Sequence, residues 1–200
     1  MEHLIKNLTY ILDFQLIIIS KLNLFDYFCE TSKYNIMEKE KGLEPFIDND
    51  SEILIVGTFP SGISICSEQY YANTSHNSFW KLIYKIYEDK DIVPNNYPKR
   101  KEVLKKNKIA LCDVYSWAVR QGNSDSKIDK KNIEYHKLDE LLDNHPNIKK
   151  IIFNGQEAAK VFKKEFPNIT TLTYIAESTS GNRMIYFEEK LANWQDLLSL

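Results

Sequence analysis

The sequence predicts an α/β fold: a three-layer α/β/α sandwich around a four-stranded parallel sheet. Three observations carry that expectation. Short apolar runs alternate with segments of helical spacing along the chain, which is the pattern of a parallel sheet covered on both faces. Polar clusters follow each apolar run, so they gather at one edge of the sheet. The 200 residues are 43% apolar and 27% charged, enough for one ordinary soluble domain with its own core.

Residues 4 to 20 read as a helix. Leu16 to Ile19 is strongly apolar, but Asp13 and Lys21 bracket it too closely for a membrane span. Residues 1–36 are expected to be an N-terminal helical extension, with Met37 a possible alternative start, and residues 37–200 one α/β domain. Residues 52 to 56 read as a buried strand. Residues 78 to 88 read as a helix, because Phe79, Trp80, Ile83 and Ile86-Tyr87 recur at helical spacing. Residues 98 to 107 form a basic helix, and Ile109 to Val114 a second buried strand. A polar loop over Arg120 to Ser126 and a short helix over 137 to 144 follow. Ile151 to Phe153 is a third strand, trailed by a helix from 156 to 165. Thr170 to Tyr174, rich in β-branched residues, is a fourth. A last helix covers 186 to 199.

Composition excludes several functions. A net charge of −2 does not mark a nucleic-acid binder, although a local basic face would be hidden in that balance. Cys29, Cys66 and Cys112 form no C-x-x-C pair, which argues against a structural zinc or an iron–sulfur cluster and fits a reducing cytosol. The four histidines show no metal spacing. No P-loop and no dinucleotide fingerprint is present. The Lys pairs at 105–106, 130–131, 149–150 and 163–164 read as solvated faces.

The candidate site residues each carry two readings. Gly57-Thr58-Phe59-Pro60-Ser61 is either a plain corner after the first strand or a place where backbone approaches a ligand, which a missing side chain at Gly57 permits. Tyr70 and Tyr71 are either packing or a π-face for a base. Asn77 precedes Phe79-Trp80 and is either a helix N-cap or a carboxamide that orients water. Asp113 and Asn154 close buried strands, where they either cap loops or read a polar ligand. Ser178-Thr179-Ser180 is either a hydroxyl-rich turn or a phosphate contact.

Taken in order, these pieces resemble the uracil-DNA glycosylase superfamily, and most closely its hypoxanthine-DNA glycosylase branch (family 6). The resemblance runs from Glu52 to the C-terminus. The G-x-x-P-S, Y-Y and N-x-F-W pieces match Gly57–Ser61, Tyr70-Tyr71 and Asn77–Trp80. An I-A-L-x-D-V segment matches Ile109–Val114, and G-S-x-D-S matches Gly122–Ser126. F-N-G-x-x-A matches Phe153–Ala158, and S-T-S matches Ser178–Ser180.

The resemblance implies a monofunctional DNA glycosylase of base excision repair, with no metal, cofactor or covalent enzyme intermediate. A flipped base would enter at the strand ends. Asn77 would position water, Tyr71 in preference to Tyr70 would stack on the base, and Ser178 to Ser180 would pinch the DNA backbone. Gly57, Phe59, Pro60, Ser61, Asp113 and Asn154 would line the base pocket. The expected partner is DNA containing a damaged base, with no membrane, and the expected state is a cytoplasmic monomer.

Four departures carry expectations. The Asn73–His76 stretch is one residue longer than the family pattern, which leaves the reach of Asn77 open. Cys112 replaces an aromatic residue, implying a wider pocket. Gly181 replaces a proline, implying a looser DNA loop. Phe59 stands where uracil-specific relatives carry Asp or Asn, and a phenyl ring cannot activate water. Other readings are a uracil-preferring glycosylase, a non-catalytic nucleic-acid or nucleotide binder on the same fold, and an unrelated flavodoxin-like module.

Overall fold

A computed structural model describes residues 38–121, 127–181 and 186–199. The expected helix over 4 to 20, the whole 1–36 extension and the Gly122–Ser126 segment lie outside the described residues.

The expected parallel sheet is present. Its strands are β2 (Ile53–Gly57), β3 (Ile109–Asp113), β6 (Lys150–Asn154) and β7 (Leu172–Ala176), in the order β3-β2-β6-β7. All three neighbouring pairs are parallel, and Gly57 lies opposite Asp113. Every residue of β2 and β3 is buried, so their unbroken apolar runs serve two faces at once. Ile53 and Ile55 turn to one core, Leu54 and Val56 to the other.

The first core is closed by α2 (Phe79–Glu88), α3 (Tyr97–Lys106) and α6 (Phe187–Ser199), which contribute Phe79, Trp80, Leu104 and Trp194. The second is closed by α4 (Leu138–Asn144) and α5 (Gln156–Glu165), through Leu138, Ala158 and Phe162. A short helix, α1 (Gly62–Ser67), follows the β2 turn.

The sequence reading missed a second sheet. Strands β1 (Glu38–Lys41), β4 (Tyr115–Arg120) and β5 (Ile128–Tyr135) form an antiparallel sheet in the order β1-β4-β5. Only Val114 separates β3 from β4, so one extended run changes sheets at that residue. Val114 and Tyr115 still donate their N–H groups to the carbonyls of Gly57 and Thr58. Strand β5 is mostly polar, and its Lys130, Lys131 and Asn132 suit an exposed edge.

One residue of the Lys pairs, Lys150, is not on the solvated face expected, and the basic helix buries a charge too. Arg100 on α3 is buried, donates to the Pro94 carbonyl at 2.8 Å and lies over the Trp80 ring. Lys150 is buried and donates to the Leu197 carbonyl at 2.8 Å, near the C-terminus of α6, where cations are favoured.

At the other end of the sheet, Glu52 bridges Lys108 and Lys149, the latter at 2.5 Å. Hydrogen bonds from Lys108 first, then Lys149, hold the Glu52 carboxyl down at about 2. Its folded value lies below the unfolded one of about 4.3. The bridge therefore contributes stability above that pH and loses it as pH falls towards 2. The Glu52→Gln variant is expected to have a flatter acid limb in thermal melts between pH 5 and about 2.5.

Candidate active site

The strand order reverses direction between β2 and β6, since β2 leads outward to β3 and β6 leads the opposite way to β7. Open α/β sheets leave a crevice at the carboxyl ends of such a pair. A cavity of about 500 Å³ lies there. Gly57, Asp113 and Asn154 sit at the ends of three strands, and all three line it.

The floor depends on a missing side chain. A Cβ on Gly57 would fall 2.2 Å from Asp113 Oδ1 and 3.3 Å from the Tyr71 hydroxyl. The carboxylate of Asp113 thus lies against bare backbone, and the residue is only 4% exposed.

The Phe59-Pro60-Ser61 turn forms one wall. Behind it stands Arg120, a residue 2% exposed. Its guanidinium donates to the Pro60 carbonyl at 2.9 Å and to Glu40 at 2.7 Å, and lies 5.1 Å from the Phe59 ring centre. Local sequence puts Arg120 at the start of a polar loop. Its bracing role comes from β1 and β4 pairing Glu38 with Arg120, which local sequence does not announce. Arg120→Ala strips a buried guanidinium from a partly buried carboxylate and a loop carbonyl. Discounted for Glu40's exposure, the expected loss is about 2–3 kcal/mol in denaturant unfolding.

Ser61 caps α1, accepting from the Ser64 N–H at 3.3 Å and meeting the Ser64 hydroxyl at 3.1 Å. Ser64 in turn accepts from the Ala72 N–H at 3.2 Å and so ties down the tyrosine loop. Sequence gave no signal for Ser64.

The two tyrosines separate. Tyr70 is 3% exposed, its hydroxyl faces the Leu43 and Glu44 carbonyls, and its own carbonyl accepts from Trp80 Nε1. Burial pushes its phenol well above the ordinary value, and the Asp113 charge adds to that. Tyr70 is a core residue at the cavity edge. Tyr71 has a φ of 54° and stacks on Phe79 with ring centres 4.0 Å apart. That left-handed backbone turns its ring into the cavity wall.

Asn77 reaches the same wall despite the longer Asn73–His76 stretch. It stands one residue before the N-cap position of α2, which is Ser78, and its Oδ1 accepts from the Phe79 N–H at 2.9 Å. An isolated bridge joins Asn77 to Ser180.

The Ser178–Ser180 turn does not lie open as a row of hydroxyls. Ser178 and Ser180 are half-buried and line the cavity, whereas Thr179 is fully buried. Thr179 exchanges two 2.8 Å hydrogen bonds with the Asn154 carboxamide. The Thr179 hydroxyl is thus engaged inside the protein, although the residue also borders the cavity.

The looser loop expected from Gly181 is also corrected. The Gly181 N–H donates to the His76 carbonyl at 2.6 Å, a bond proline could not make, and a Cβ there would fall 2.6 Å from the same oxygen. Cys112 does not widen the pocket either. It is buried in the second core with Leu54, Val56 and Phe59, away from the cavity lining. Burial raises its thiol well above the usual value.

Among the described residues, no group of three or more His, Cys, Asp or Glu is placed to hold a metal ion. No helix among them is long and apolar enough to cross a membrane.

A parallel α/β sheet whose switch point holds a cavity lined by Tyr71, a buried carboxylate and the carboxamides of Asn73, Asn77 and Asn154 is the architecture of ligand-binding open α/β proteins. The chain belongs to the Uracil DNA glycosylase superfamily, whose profile matches residues 44–197. It is 35% identical over 158 residues to a protein of Methanosarcina barkeri named hypoxanthine DNA glycosylase, covering 79% of this chain and 97% of that one. A Methanosarcina acetivorans protein of the same name is 32% identical, covering 78% and 96%. The solution structure of a candidate uracil DNA glycosylase from Methanosarcina acetivorans superposes with a TM-score of 0.68 at 29% identity. That match covers 80% of this chain and 97% of the other.

Proposed function

We propose that this protein is a monofunctional DNA glycosylase that hydrolyses the N-glycosidic bond of a deaminated base, hypoxanthine foremost. One observation carries the reading. Asn77, Asp113 and Asn154, which are distant in sequence, meet around one cavity at the sheet's switch point. The names of the two Methanosarcina relatives support the choice of base.

In this reading the flipped base stacks on Tyr71. Asp113 accepts the ring N–H of hypoxanthine, and the amide proton of Asn154 not used by Thr179 meets the carbonyl. Charge builds on the departing base, so a donor at its carbonyl stabilises the transition state more than the ground state. Asn77 orients a water that attacks C1′ as the bond to the base breaks. The base leaves with the bonding electron pair, and the water's oxygen stays on C1′. The water loses a proton to solvent while the base anion takes one up, giving neutral free base and an abasic site. A carboxamide is a poor base but positions a nucleophile well, which suffices when the leaving group departs early. Ser178 and Ser180, at the cavity rim, are the hydroxyls offered to the DNA backbone.

The test is product formation from labelled oligonucleotides bearing hypoxanthine or uracil. Hypoxanthine is expected to give an abasic strand faster than uracil. The reverse order would favour a uracil-preferring enzyme. Retention of DNA without product would favour a binder.

A further inference from the structure

Thr179 spends every polar group inside the protein. Its hydroxyl accepts from Asn154 Nδ2 and its N–H donates to Asn154 Oδ1, both at 2.8 Å. Its carbonyl accepts from the Ser78 N–H at 2.9 Å and from the Ser78 hydroxyl at 3.2 Å. We infer that Thr179 is a positioning residue that locks the segment carrying Asn77 to the strand end carrying Asn154. The group that orients water and the wall that reads the base are then built as one unit. This inference rests on the reading of Asn77 given above.

The bonds of Asn77 itself explain why such a lock is needed. Its side chain accepts locally, from the Phe79 N–H at 2.9 Å, which fixes the carboxamide relative to α2. Helix α2 packs on α6 and α3, whereas Asp113 and Asn154 belong to the sheet. Without a cross-tie, the distance from Asn77 to the base would follow every small shift of helix on sheet. Thr179 supplies that tie, and the Gly181-to-His76 bond closes it on the far side of Asn77. A misplacement of about 1 Å in such a geometry costs on the order of 10²-fold in rate. The β-branch of Thr179 narrows χ1 and so aims its hydroxyl. A fully buried hydroxyl also keeps its bond to Asn154 free of competing water.

The test uses the full-length protein with Thr179→Val and Thr179→Ser. Thr179→Val keeps the shape and deletes the acceptor, while Thr179→Ser keeps the acceptor. Single-turnover excision is expected to fall about 10–100-fold in Thr179→Val, by the same factor for hypoxanthine and for any second base excised. Affinity for a duplex carrying a tetrahydrofuran abasic analogue is expected to stay within about threefold, and Thr179→Ser to recover the rate to within about threefold. An unchanged rate in Thr179→Val overturns the inference. So does a loss matched by an equal loss of duplex affinity, which would put Thr179 at the DNA.

If Thr179→Val does not fold, Ser78→Ala deletes only the hydroxyl bond to the Thr179 carbonyl. A loss of about threefold or more is then expected, and an unchanged rate contradicts the lock. Should the wild-type protein release no base, the glycosylase reading fails, and the lock is judged by NMR. The Asn77 side-chain amide signal, identified by its disappearance in Asn77→Ser, is expected to move in Thr179→Val and not in Thr179→Ser. A signal unmoved in Thr179→Val refutes the lock independently of activity.

Discussion

Replacing Asn77 by alanine is expected to lower single-turnover excision by at least about 10²-fold, because in the proposed reading its carboxamide is the group that orients the attacking water. The protein is expected to stay folded. The substitution removes one hydrogen bond, from the Phe79 N–H to Asn77 Oδ1, at the start of α2. Loss of such a bond costs about 1 kcal/mol, a small share of a domain's stability. The core beneath α2, built on Phe79, Trp80, Leu82 and Ile83, is untouched. Asn77→Asp separates the two roles of the residue. It keeps the oxygen that accepts from Phe79, so its melting temperature should sit closer to wild type, while its carboxylate changes how water is held. Circular dichroism melts beside the rate measurements check both statements.

Gly57→Ala should be nearly as damaging for a different reason. The added Cβ would stand 2.2 Å from Asp113 Oδ1, a distance no carbon and oxygen tolerate without movement. It would also press on the Tyr71 hydroxyl at 3.3 Å. Both displaced groups line the cavity at the sheet's switch point. Overpacking of this kind costs about 1–3 kcal/mol of stability. The expected loss of excision rate is about 10²-fold, because the carboxylate proposed to meet the base is the group that must move. The mechanism can be isolated with a double mutant. In an Asp113→Ala background there is no carboxylate to displace, so the further penalty from Gly57→Ala should be much smaller than in wild type. Equal penalties in both backgrounds would show that Gly57 acts elsewhere.

The parallel sheet was legible because its central strands are unbroken apolar runs that serve two cores. The runs 52–56 and 109–114 fall within a residue of β2 and β3. The antiparallel sheet was not legible. Strand β4 continues β3 with one residue between them, and β5 carries only Ile128, Ile133 and Tyr135 against five polar or charged residues. Its stability comes from pairing with β4 rather than from its own pattern.

At the site, the residues that end strands were visible in sequence: Gly57, Asp113 and Asn154. Asn77 was visible through the helix it precedes. What sequence could not give is how loops fold onto one another. Thr179 reads as a surface hydroxyl until Asn154 is seen to cover it. Gly181 reads as a loosened proline position until its N–H is found on His76. Arg120 reads as a loop charge until two strands carry it beneath Pro60. In each case the partner lies 25 or more positions away, and the reason for the residue lies with that partner.

The most direct measurement is single-turnover release of free base from a hypoxanthine-bearing and a uracil-bearing oligonucleotide, with Asn77→Ala run beside wild type. The account predicts free hypoxanthine and an abasic strand from wild type, slower release of uracil, and loss of both products in the variant. Tight binding of the hypoxanthine strand with no base released, or release undiminished in Asn77→Ala, would contradict it.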